Sequence, residues 1–163
     1  MKRYVLSIFI GLIPLLSYSQ NIPKPEFVDI PYFLDKKSNE LVMLSKETID
    51  TKATGIKISY KFSGAESKTK INTSKITLII DSNSPTLLTA MKIYKLDVKK
   101  KSRQVAIMSS NLMGQLNKRN ENIIDFNSRN LEGNIYELVI SSELDKGEYA
   151  LTNGMNSYTF SVK

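Results

Sequence analysis

The chain has 163 residues, 41% of them hydrophobic and 24% charged, which is enough apolar material for one globular domain and too much for a disordered tail. It contains no His, Cys or Trp, so imidazole- and thiol-based nucleophiles, structural zinc, haem and iron–sulfur ligation are excluded and no cofactor is expected. Basic side chains outnumber acidic ones by 23 to 16, and with no disulfide available packing alone must hold the fold.

Residues 1–19 have the pattern of an export signal. Lys2 and Arg3 give a positive start, Val5 to Leu16 a short apolar run, and Ser17 and Ser19 the small residues ahead of a cleavage before Gln20. The run is broken by Gly11 and Pro14 and falls short of the roughly 20 residues that span a bilayer. Without Cys there is no N-terminal lipid. The expected product is a periplasmic or secreted protein with no membrane span after cleavage.

Residues 20–31 form a lead-in with three prolines between positions 21 and 31, which favours extended chain over helix. Residues 32–163 then read as a single domain of short strands. Tyr32-Phe33-Leu34 and Leu41 to Leu44 flank a polar stretch, Asp35 to Glu40, that suits a hairpin. Ile56, Ile58, Tyr60 and Phe62 alternate with polar residues, as do Ile76, Leu78 and Ile80. In Ala90 to Val98 the apolar phase slips by one residue, from Met91 and Ile93 to Tyr94, Leu96 and Val98, which suggests a bulge or a strand crossing between sheets. Lys99 to Ser102 follows as an exposed turn, and Gln104 to Met108 as the returning strand.

Residues 109–131 are the least regular stretch. One helical turn at Leu112, Met113 and Leu116 and a short strand at Ile123 to Phe126 are the elements expected there. Tyr136, Leu138 and Ile140 alternate, and so do Tyr158, Phe160 and Val162. About nine short strands with almost no helical periodicity predict an all-β, antiparallel sandwich or barrel, preceded by a signal-peptide helix.

The end of the chain narrows the expectation to a sandwich. Leu144 to Tyr149 enters a strand, and Asn153 to Asn156 turns into the last one. This resembles the tyrosine corner and closing hairpin of immunoglobulin-like sandwiches, and the resemblance gives Gly147 and Tyr149 structural roles. The antibody disulfide and Trp are absent, so the likeness is architectural. The ending SYSQ of the signal, residues 25–44, residues 93–105 and LDKGEYAL at 144–151 also resemble exported proteins of Bacteroidota that have no assigned activity. That resemblance implies a cell-envelope or secreted location and carries no catalytic residue.

Removing Lys2 and Arg3 leaves 21 basic against 16 acidic residues, an excess of five. Lys92, Lys95, Lys99, Lys100, Lys101 and Arg103 against Asp97 account for all of it. Such a cluster suits an anionic envelope glycan, lipopolysaccharide phosphate or the acidic surface of a protein partner, and nucleic acid is a poor partner for an exported protein. The bland reading is a solvated hairpin whose lysines discourage edge-to-edge pairing.

Catalysis would have to rest on carboxylates. A glycosidase needs two of them facing each other, roughly 5–9.5 Å apart, and Glu137, Asp125, Glu143 and Glu148 are the candidates. A small carboxylate hydrolase acting on glycans is therefore one alternative to a non-enzymatic envelope-interaction module, and a structural subunit of an envelope complex is another. Asp81 with Asn83, and Asp35 with Asn39 and Glu40, offer oxygens to calcium but match turn chemistry better than a calcium loop. Tyr32, Tyr60, Tyr94, Tyr136 and Tyr158 are the rings available for sugar stacking, though their phase with Ile and Leu places most of them in the core.

Overall fold

A computed structural model describes residues 22–109 and 122–163. Its strands are, in chain order, β1 (Pro31–Asp35), β2 (Glu40–Met43), β3 (Ser45–Lys46), β4 (Asp50–Thr54), β5 (Lys57–Ser63), β6 (Lys70–Ile71) and β7 (Thr77–Asp81). After helix α1 (Pro85–Ala90) come β8 (Lys92–Lys99), β9 (Ser102–Ser109), β10 (Ile123–Ile124), β11 (Phe126–Glu132), β12 (Ile135–Ile140), β13 (Gly147–Thr152) and β14 (Ser157–Val162). The expected signal-peptide helix and the turn at Leu112 to Leu116 lie outside the described residues.

Two sheets result. The first has the order β11-β12-β7-β1-β2; the second runs β3-β14-β13-β8-β9-β5-β4, with β10 added to β8 and β6 to β14. Pairing is antiparallel except for β6 on β14 and an isolated bridge from Val28 to Asp81. The all-β, mostly antiparallel expectation therefore holds.

The main core lies between the sheets. Phe33, Leu78, Ile80 and Leu138 from the first meet Ile93, Tyr149, Leu151 and Phe160 from the second, all buried. Period-two alternation puts these residues on one face of each strand. The second sheet also buries its other face: Phe62, Tyr94, Leu96, Val105 and Ala150 form a smaller cluster there.

This second cluster explains the phase slip in β8. The strand pairs without a break from Lys92 to Leu96 with β13, so the expected bulge is not there. Ile93 points into the first core while Tyr94 and Leu96 point into the second, so apolar residues occupy both faces. The other edge of β8 is shared, with Ile93 and Tyr94 pairing with β10 and Asp97 to Lys99 pairing with β9. Register shifts occur instead between Ile58 and Ser59 and between Asn130 and Glu132.

The closing hairpin follows its sequence closely. Thr152 Oγ1 accepts from the Gly154 N–H at 3.0 Å, and Asn153 Oδ1 accepts from the Asn156 N–H at 2.8 Å. Gly154 has φ of 89°, a conformation that glycine adopts without a Cβ clash. Gly147 opens β13 opposite Val162.

Candidate functional site: the lysine turn and the buried arginine beneath it

The β8–β9 hairpin projects Lys99, Lys100 and Lys101 into solvent. No carboxylate among the described residues pairs with them. Lys146 reaches the same end of the sheet, where it lines a shallow pocket with Val98 and Lys163, an addition that its position in a separate loop hides from the sequence.

The six cations proposed from sequence do not form one patch. Lys92 starts β8, and seven residues of extended chain put it roughly 23 Å from Lys99. Lys95 is half-exposed and its ammonium bonds Asp145 Oδ2 at 2.9 Å. That contact raises the Lys95 pKa and lowers that of Asp145.

Arg103 leaves the exposed set altogether, because it is fully buried. Its Nη2 donates to Glu47 Oε2 at 2.5 Å and to the Ser63 carbonyl at 2.9 Å, and its Nε donates to the Gly64 carbonyl at 3.2 Å. Nη1 lies 3.5 Å from Glu148 Oε2, and the guanidinium sits 5.9 Å from the Phe62 ring centroid. Arg103 is in phase with Val105 and Ile107 on β9, the signal that would have placed it inward; the run of lysines before it concealed this. Its bonds to residues 63 and 64, with the Gly64 N–H bonding the Lys101 carbonyl at 3.0 Å, fix the base of the lysine turn. Arg103 is a positioning residue for that turn.

The candidate carboxylates lie on different segments, and Glu137, Glu143 and Glu148 have side-chain partners. Glu137 is buried on β12 and accepts from Arg129 Nε at 2.5 Å. Glu143 is exposed and accepts from Ser74 Oγ at 2.9 Å, which with Lys75 lowers its pKa. Glu148 accepts from the Ser67 N–H at 2.7 Å and Ser161 Oγ at 2.6 Å. Asp125 stands between β10 and β11, where its carbonyl accepts from the Ser141 N–H. The two acids that do converge are Glu47 and Glu148, held around one guanidinium rather than across a cleft. Asp35 caps the Lys37 N–H at 2.9 Å, as a turn residue does, and Asn83 accepts from Asn134. No group of three or more potential metal ligands is present among the described residues.

The tyrosines pack inward. Tyr32, Tyr94 and Tyr158 are at most 5% exposed; Tyr60 meets Tyr94 edge-on at 6.4 Å, and the Tyr158 hydroxyl donates to the Asp29 carbonyl. Tyr149 donates to the Asp145 carbonyl at 2.8 Å and stacks on Phe160 at 5.4 Å. Burial raises the Tyr149 pKa. No helix among the described residues is long and apolar enough to cross a membrane. No protein-family model, curated protein or solved structure matches this chain.

Proposed function

We propose that the protein is an exported, non-enzymatic binding module with an immunoglobulin-like sandwich, which engages anionic envelope glycans or an acidic protein surface through the β8–β9 turn. The observation that carries this reading is the juxtaposition of Lys99, Lys100 and Lys101, unpaired among the described residues and anchored from below by Arg103. Clustered cations on a fixed support focus potential and steer anions. The candidate acids of a hydrolase are instead engaged in hydrogen bonds and ion pairs.

The immunoglobulin-like part of the reading draws on strand order. β1-β7-β12-β11 follows the order A-B-E-D, and β8-β13-β14 follows C-F-G, with the corner tyrosine at the start of F. Residues 36–76 then form an insertion between A and B that supplies β2 to the first sheet and β3 to β6 to the second. Export rests on residues 1–19, and the exported chain would begin at Gln20.

The test compares the parent with a Lys99→Ser, Lys100→Ser, Lys101→Ser variant on a heparin-type matrix. Exposed charges contribute little to folding, so the urea midpoint stays unchanged. The variant elutes at lower salt, and the parent's retention weakens as the screening length drops below about 8 Å. Equal retention of the two at low salt overturns the proposal.

A further inference from the structure

The sandwich is not closed at the corner where β2 of the first sheet faces the segment after β6 in the second. A cavity of about 370 Å³ opens there, at the lower end of the range for small-molecule sites. Its apolar wall is Phe33 and Ile71, both continuous with the main core, and Val42, which stands opposite Phe33 in register yet is 42% exposed. An apolar side chain on the inner face of a sheet is normally covered by the other sheet. Here the second sheet offers only the two-residue β6, which ends at Ile71.

The rim is cationic. Lys36 and Lys37 occupy the β1–β2 turn, are exposed, and have no carboxylate partner among the described residues. Lys70 stands across from them, paired with Glu66. Asp35 also lies on the rim, where its carboxylate caps the Lys37 N–H.

We propose that this cavity binds a single-chain fatty carboxylate, its alkyl tail against Phe33, Val42 and Ile71 and its head group at Lys36 and Lys37. The apolar wall calls for a ligand with an alkyl part, which a polysaccharide lacks, and the free ammoniums select an anionic head. The inference uses a different surface from the β8–β9 turn, so either can fail while the other stands.

The experiment titrates the purified protein with sodium dodecanoate below its micelle concentration, with 1-dodecanol, and with sodium acetate as head group alone, observing Val and Ile methyl resonances. Dodecanoate is expected to shift the Val42 and Ile71 methyls saturably, while acetate leaves them in place. Lys36→Ser with Lys37→Ser weakens dodecanoate by about tenfold and leaves dodecanol unchanged. Val42→Glu, at an exposed position that keeps the fold, weakens both; the methyl dispersion of its free form confirms the fold. Unshifted methyls, equal shifts with acetate, or undiminished dodecanoate binding by folded Val42→Glu each overturn the proposal.

Discussion

The two faces of the β13–β14 hairpin are buried alike and built from opposite materials. Towards the first sheet they present Tyr149, Leu151, Tyr158, Phe160 and Val162. Towards Arg103 they present Glu148, Thr159 and Ser161, each under 5% exposed. The apolar face gains by leaving water and asks little of geometry, whereas every polar group on the other face must find a partner or cost free energy. The polar face meets most of that demand with a network: Glu148 takes Ser67 and Ser161, Glu47 takes Thr159 and Arg103, and Ser67 bonds Thr159, while Ser157 Oγ and Arg103 Nη1 have no hydrogen-bond partner among the described residues. Such a network specifies one arrangement and fails sharply when a member is removed.

The largest expected effect comes from breaking that network at its centre. Arg103→Met leaves Glu47 and Glu148 facing each other without a cation, and the loss expected in urea denaturation is about 3–5 kcal/mol. Adding Glu47→Gln and Glu148→Gln removes the buried charges and should recover part of it. A single variant within experimental error of the parent would show that water reaches the site and that the two faces do not differ.

On the apolar face a single polar atom can be removed. Tyr149→Phe keeps the stacking on Phe160 but strips the donor from the Asp145 carbonyl, so a cost of about 1–3 kcal/mol is expected. An unchanged urea midpoint would remove the corner from the immunoglobulin-like argument.

The smallest effect separates surface pairing from both interiors. The Lys95 ammonium holds the Asp145 carboxyl below its ordinary value of 3.8, so the pair's contribution is present above that value and lost as pH falls through the lower folded value. The raised pKa of Lys95 means the same contribution is lost on the alkaline side as pH rises through it. Asp145→Asn, which keeps the backbone carbonyl that Tyr149 uses, should lower the urea midpoint slightly at neutral pH. The difference should close in acid. A gap that persists at low pH would assign the effect to something other than charge.

How much of this was legible in the sequence follows the same division. Period-two alternation marks β5, β7, β12 and β14, and the apolar runs Tyr32 to Leu34 and Leu41 to Leu44 mark β1 and β2. β11 carries no such signal, because Asn127, Ser128, Arg129 and Asn130 form an exposed sheet edge with no apolar face. The six-residue α1 is too short for a helical period, and β3 and β6, two residues each, hold their places through partners far along the chain. The turn lysines are legible because exposed charge is visible in composition. For the same reason the sequence alone sets Arg103 at the surface, since the carboxylates that draw it inward lie 56 and 45 positions away. At Lys36 and Lys37 the sequence shows only a hairpin turn, because the opening beside it is made by two sheets together.

Strand β14 carries more of the molecule than its six residues suggest. It pairs with β13, β3 and β6, and its Tyr158, Thr159 and Ser157 hold Asp29 and Glu47. Segments made early, around residues 29, 45–47 and 67–71, bond one another or residues 81 and 82, but they lack their place beside β14 until one of the last segments is synthesised. Loop closure over such separations is slow, and it cannot begin before the distant partner exists. A chain emerging from the ribosome thus remains incomplete as a domain until residue 162 is free. Under the export proposed above, that order would keep the domain from completing before the chain has crossed.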